Sequence, residues 1–174
     1  MTGWMDSLRR LALAALCAAA PAILPAGTSA AEPLESIDRQ MRKAIDDGRL
    51  ADQGLLARVH ERCAGLQLNL LTMHQVTAER NGREPDPELM SLEPIMHAMV
   101  RRAIILRTAE TEDPQGARQG VDEAVRRFAF YYGGEPYETE DGEATLPDDP
   151  REIMQEDLNA CLTLHRRLSE AFSE

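Results

Sequence analysis

The chain has 174 residues, of which 30 are acidic and 19 basic, giving a net charge of −11, and aromatic residues make up only 4% of it. A surface of that sign repels nucleic acid and anionic lipid, so neither is an expected partner without a local basic patch. No apolar run approaches the roughly 20 residues that a membrane-spanning helix needs.

Residues 1–31 read as a cleavable secretion signal: Arg9 and Arg10 form the basic region, Leu11 to Leu24 the apolar region, and Thr28-Ser29-Ala30-Ala31 the small residues for cleavage. The apolar stretch is too short to span a bilayer. A lipoprotein anchored through Cys17 would call for a small residue before the cysteine, and Leu16 stands there. The Arg9-Arg10 pair resembles a twin-arginine signal, but Leu8 and Ala12 fit it poorly, which favours ordinary unfolded export. Cleavage would leave 17 basic and 29 acidic residues, a net charge of −12, on a single domain at 32–174. The expected location is periplasmic or secreted.

Five segments then show apolar residues at helical spacing, with no sustained alternation of the kind strands require. The first runs from about Pro33 to Asp47, presents Leu34, Ile37, Met41 and Ile45, and stops at Gly48. The second, about Leu50 to Arg80, carries a stripe of Leu56, Val59, Cys63, Leu66, Leu70, Met73 and Thr77 and ends at Asn81-Gly82. The third, about Ser91 to Ala109, aligns Leu92, Met96, Met99, Ala103 and Leu106, with Pro94 confined to the first turn. The fourth starts at an Asp113 cap, aligns Ala117, Val121, Ala124, Phe128 and Tyr131, and ends at Gly133-Gly134. An acidic loop at 135–150 follows, with seven carboxylates and no basic residue. The fifth begins at Asp149-Pro150-Arg151-Glu152 and aligns Met154, Leu158, Cys161, His165, Leu168 and Phe172. The expected fold is all-α: an antiparallel four-helix bundle with a short N-terminal helical arm.

Only Cys63 and Cys161 survive cleavage of the signal, both on apolar stripes of a chain sent to an oxidising compartment. A disulfide between them is the leading expectation. His60 lies one turn before Cys63 and His165 one turn after Cys161. Two cysteines and two histidines could instead converge as a tetrahedral metal site, and with the disulfide formed the two histidines alone remain a weak metal or pH-sensitive pair. A bundle-bound haem held by His and Met is a further alternative, although the sequence lacks the Cys-x-x-Cys-His of covalent attachment.

No catalytic constellation emerges. His60-Glu61-Arg62-Cys63 lacks the second histidine of a zincin helix, and there is no Gly-x-Ser-x-Gly and no phosphate-cradling glycine loop. The chain is therefore read as a non-enzyme without a cofactor. Five of the six aromatics of the exported chain cluster at Phe128, Phe130, Tyr131, Tyr132 and Tyr137. Phe130 lies about 200° around the helix from both Phe128 and Tyr132, so these rings cannot all face the core. Phe130, Tyr132 and Tyr137, with Glu138, Glu140 and Asp141 beside them, form the candidate site for a basic protein or peptide partner.

Leu71-Thr72-x-x-Gln75 resembles the Leu-Thr-x-x-Gln motif of the CpxP and Spy periplasmic chaperones. Cys161-Leu162-x-Leu164-His165 is similar to a stretch of small disulfide-bonded immunity proteins of type VI secretion. Each likeness spans five residues and carries over no functional residue; both point to a protein-binding module of immunity or chaperone type.

Overall fold

The protein was analysed as a computed structural model, which describes residues 33–49, 51–139 and 142–171. The stretch expected to be a signal (1–31), Leu50, Glu140, Asp141 and Phe172 lie outside them.

The described residues form five helices of ten residues or more: α1 (Ile37–Asp46), α2 (Gln53–Arg80), α4 (Leu92–Thr111), α5 (Pro114–Tyr132) and α6 (Arg151–Ala171), with a one-turn α3 (Pro87–Met90) before α4. Capping chemistry sets several of the boundaries. Asp52 accepts the Leu55 amide at the start of α2, and Asp113 accepts the amides of Gln115 and Gly116 at the start of α5. Gly48 and Gly82 follow α1 and α2 at φ of +69° and +61°, the left-handed conformation that glycine adopts without strain. The first helix starts at Ile37, four residues later than Pro33, because the Ser36 hydroxyl caps it by accepting the Arg39 amide at 3.4 Å.

The core is built around α2, with α4 and α5 packed along it and against each other. Residues 60 to 67 of α2 are buried without interruption, so the middle of this helix is enclosed on all sides. Against α5, α2 packs tightly at Gly65, where an added Cβ would come within 2.4 Å of the Phe128 Cβ and 2.8 Å of the Val125 carbonyl oxygen. The last helix, α6, rests on α2 around Cys161, and α1 packs against α6. Cys63 and Cys161 are joined by a disulfide with a Cα–Cα distance of 5.5 Å.

Two expectations are corrected. The second-helix stripe fails beyond Leu70: Met73 is 58% exposed and Thr77 is exposed, while Leu71 and Ala78 are buried instead. Met73 lies about 200° around the helix from Leu71, and the far half of α2 meets the α3 region on another side, where His74 accepts the Asp86 amide and Gln75 reaches the Met90 sulfur. The acidic loop is also not free of regular structure. Tyr137–Thr139 (β1) pairs antiparallel with Gly142–Ala144 (β2), so the all-α expectation misses a short hairpin. Gly142 supports the turn at φ +128°, and Tyr137 and Ala144, directly opposite each other, pack with Leu66, Tyr131 and Tyr132.

Candidate functional site

Next to the disulfide lies a buried polar cluster. The Arg62 side chain is 2% exposed and that of Asp157 not at all, and Arg62 Nη2 donates to Asp157 Oδ2 at 2.6 Å. Arg62 Nε donates to the Tyr132 hydroxyl at 2.8 Å, and Nη1 donates to the Glu35 carbonyl at 2.6 Å. The Tyr132 hydroxyl in turn donates to Asp157 Oδ2, while Oδ1 accepts the Ile37 amide at 2.7 Å. Burial works against the charge on Arg62, but Tyr132 and Asp157 outweigh it and raise its pKa. Burial likewise holds the Tyr132 hydroxyl protonated far above its ordinary range. Every polar atom named here is committed to another, as a buried ion pair requires. The cluster joins α2, α5, α6 and the entry to α1, a structural role.

A second buried carboxylate, Glu61, accepts from Arg107 through both oxygens, at 2.8 and 3.1 Å, and Arg107 also donates to Glu110 at 3.1 Å. The hydrogen bond to Glu61 is the main reason that the Arg107 pKa is raised. This pair ties α2 to α4.

The histidines singled out by sequence stand one turn from the bonded cysteines, His60 before Cys63 and His165 after Cys161. His60 is buried, and its Nδ1 lies 2.7 Å from the Leu56 carbonyl, which makes Nδ1 the donor. Nε2 of His60 and Nδ1 of His165 have no hydrogen-bond partner among the described residues, and neither does Arg102 Nη1. Burial lowers the pKa of both imidazoles, and Arg102 lowers both further. A cation beside both rings opposes a second cation there. With Cys63 and Cys161 oxidised, the four-ligand metal arrangement has lost its thiolates.

The aromatic cluster divides sharply. Phe130 is 57% exposed, whereas Phe128 and Tyr131 are buried. Tyr132, a candidate partner-binding residue in the sequence, is 4% exposed, its hydroxyl held in the Arg62–Asp157 cluster. Tyr137 is half-buried, with its ring stacked on Phe128 at 4.6 Å between centroids. Glu138 is exposed on β1, directly opposite the exposed Glu143 on β2. The Phe130 carbonyl accepts the Glu135 amide at 3.0 Å, so the exposed ring stands where the chain leaves α5 for the hairpin. Phe130 also borders a shallow groove with Asp122, Glu123, Arg126 and Arg127.

Sequence reasoning missed Asp157 and Glu61. The signal was present for Asp157, which stands one helical turn before Cys161 on the same face, while Arg62 adjoins the partner cysteine. A charged residue on an otherwise apolar stripe, level with its opposite on the bonded helix, marks a buried pair.

No family model, no curated protein and no solved structure matches this chain.

Proposed function

We propose that this chain is an exported, non-enzymatic helical module that binds a basic protein or peptide at the end of α5. Residues 1–31 act as its signal, the mature protein works in the periplasm or outside the cell, and residues 32–174 are its single domain. Its helices are read as an antiparallel four-helix bundle with α1 as the added arm; the level pairing of Leu158 with Leu66 and of Cys161 with Cys63 supports that order.

The observation that carries the binding reading is the register of the hairpin, which sets Glu138 directly against Glu143. Like charges placed opposite each other weaken a strand pair, and a cationic side chain seated between them removes the repulsion. Phe130, exposed at the end of α5 where the chain leaves for the hairpin, supplies an apolar anchor of the kind that dominates binding energy.

The test is a photo-crosslinking phenylalanine analogue at position 130, with position 79 on the far end of α2 as control, in the cells that make the protein. A discrete adduct is expected at 130 only, and Glu138→Lys with Glu143→Lys should abolish it. Equal adducts at both positions, or none, would overturn the binding site. Fractionation of the same cells reads export independently, through loss of the signal and release with the periplasmic contents.

A further inference from the structure

On the flank of the molecule formed by α2, α4 and α5 lies a groove of about 580 Å³ with a charge opposite to that of the chain. Arg58 of α2, Arg107 of α4 and Arg127 of α5 line it, together with Tyr137 from the hairpin. We propose that this groove is a binding site for a small-molecule oxyanion, a carboxylate or a phosphate ester.

The three arginines play different parts. Arg107 is spent on Glu61 and Glu110, so it braces the wall and cancels the Glu61 carboxylate. Among the described residues Arg127 is held only by an exposed contact to Glu123, one turn away on its own helix, and such pairs contribute little and exchange readily. Arg58 has no carboxylate partner among the described residues, in a chain where acids outnumber bases 30 to 19. Arg58 and Arg127 therefore present guanidinium forks, the geometry that takes a carboxylate or phosphate through two parallel hydrogen bonds.

Tyr137 lines the same groove. Burial raises the pKa of its hydroxyl most, Arg127 and Arg58 lower it, and Glu61 raises it. Its protonated phenol is a third donor.

The size of the groove suits the same ligand class. Its volume falls within the range of small-molecule sites, roughly 300 to 1,000 Å³. The groove is open over Gly120 of α5, where an added Cβ would meet nothing within 4 Å. The remaining carboxylate, Asp113, is engaged with the first amides of α5, which offset its charge. This site is separate in composition from the hairpin glutamates and stands or falls without them.

Isothermal titration of the full mature protein with citrate and with inorganic phosphate, each against chloride at matched ionic strength, tests the proposal. Saturable binding of at least one probe is expected, and which one binds tells carboxylate from phosphate recognition. Arg58→Gln with Arg127→Gln should weaken it by about tenfold or more. Arg39→Gln with Arg42→Gln removes the same charge from α1 and should leave it unchanged. Gly120→Leu keeps every charge, fills the groove and should block binding, with circular dichroism confirming that the helices remain. No saturable binding of either probe overturns the site. Binding that survives Gly120→Leu, or that falls equally in the α1 double variant, shows a diffuse charge effect and overturns it too.

Discussion

Arg62 and Asp157, 95 residues apart in the chain, meet at 2.6 Å with both side chains removed from solvent. Each leaves the other as an isolated buried charge if it is lost. Arg62→Met or Asp157→Leu alone should therefore destabilise the protein by about 3 to 5 kcal/mol, and the double variant by clearly less than the sum. Urea unfolding of the four proteins of the cycle measures this. Additive losses would mean that the two charges are not coupled.

The disulfide spans 98 residues and attaches α6, whose contacts with the rest of the helices concentrate on α2 and α1. On the chain-entropy estimate its loss lowers stability by up to about 4 to 5 kcal/mol. In Cys63→Ala with Cys161→Ala, amide exchange should rise first in α6 and α1, because α2, α4 and α5 still pack on one another. Uniform acceleration across all helices would show that α6 is integral to the core.

Helix α2 packs tightly on α5 at Gly65, and the obstacle to a side chain there includes the Val125 carbonyl, which is backbone. Gly65→Ala should lower stability by about 1 to 3 kcal/mol despite the better helix propensity of alanine. On the same helix pair, Phe128→Ala should cost about 3 to 5 kcal/mol and Phe130→Ala under about 0.5, as burial dictates. Thermal unfolding of the three variants gives the order directly.

His60 has its pKa lowered from the ordinary 6.5, by burial first and then by Arg102, against the opposing Leu56 carbonyl and Glu61. The unfolded chain takes up the proton before the folded one does. The stabilisation is thus present above pH 6.5 and declines as pH falls from there toward the folded value. His165, shifted the same way, adds to it. Urea midpoints at successive pH values below neutrality should fall for the native chain and fall less for His60→Gln with His165→Gln. Parallel slopes would remove the histidines from the acid response.

The parts of this fold legible from sequence are those governed by local chemistry. Asp113 and Gly133 mark the ends of α5 through capping, and the apolar stripe of that helix buries Ala117, Val121, Phe128 and Tyr131 as its spacing requires. The cysteine pair followed from an even count on two stripes. What could not be read depends on partners distant in the chain. Met73 continues the stripe in sequence, but nothing in its spacing tells that the far half of α2 meets the α3 region on another side. The strands Tyr137–Thr139 and Gly142–Ala144 are three residues each, too short for alternation to register. Tyr132 stands four residues after the buried Phe128, on its face of the helix, while Phe130 faces the other way; what the sequence does not show is that the Tyr132 hydroxyl meets Arg62 and Asp157 inside. The basic groove escaped because its arginines come from three helices and are invisible to any count of net charge.

One contact gives the chain an order of assembly. The Ile37 amide, at the entry to the first helix, is satisfied by a carboxylate 120 residues further on. Whether the polypeptide emerges from a ribosome or threads through a pore, this segment cannot complete its hydrogen bonding until most of the chain has followed. The first of the described helices is thereby among the last to settle, and it waits for Asp157.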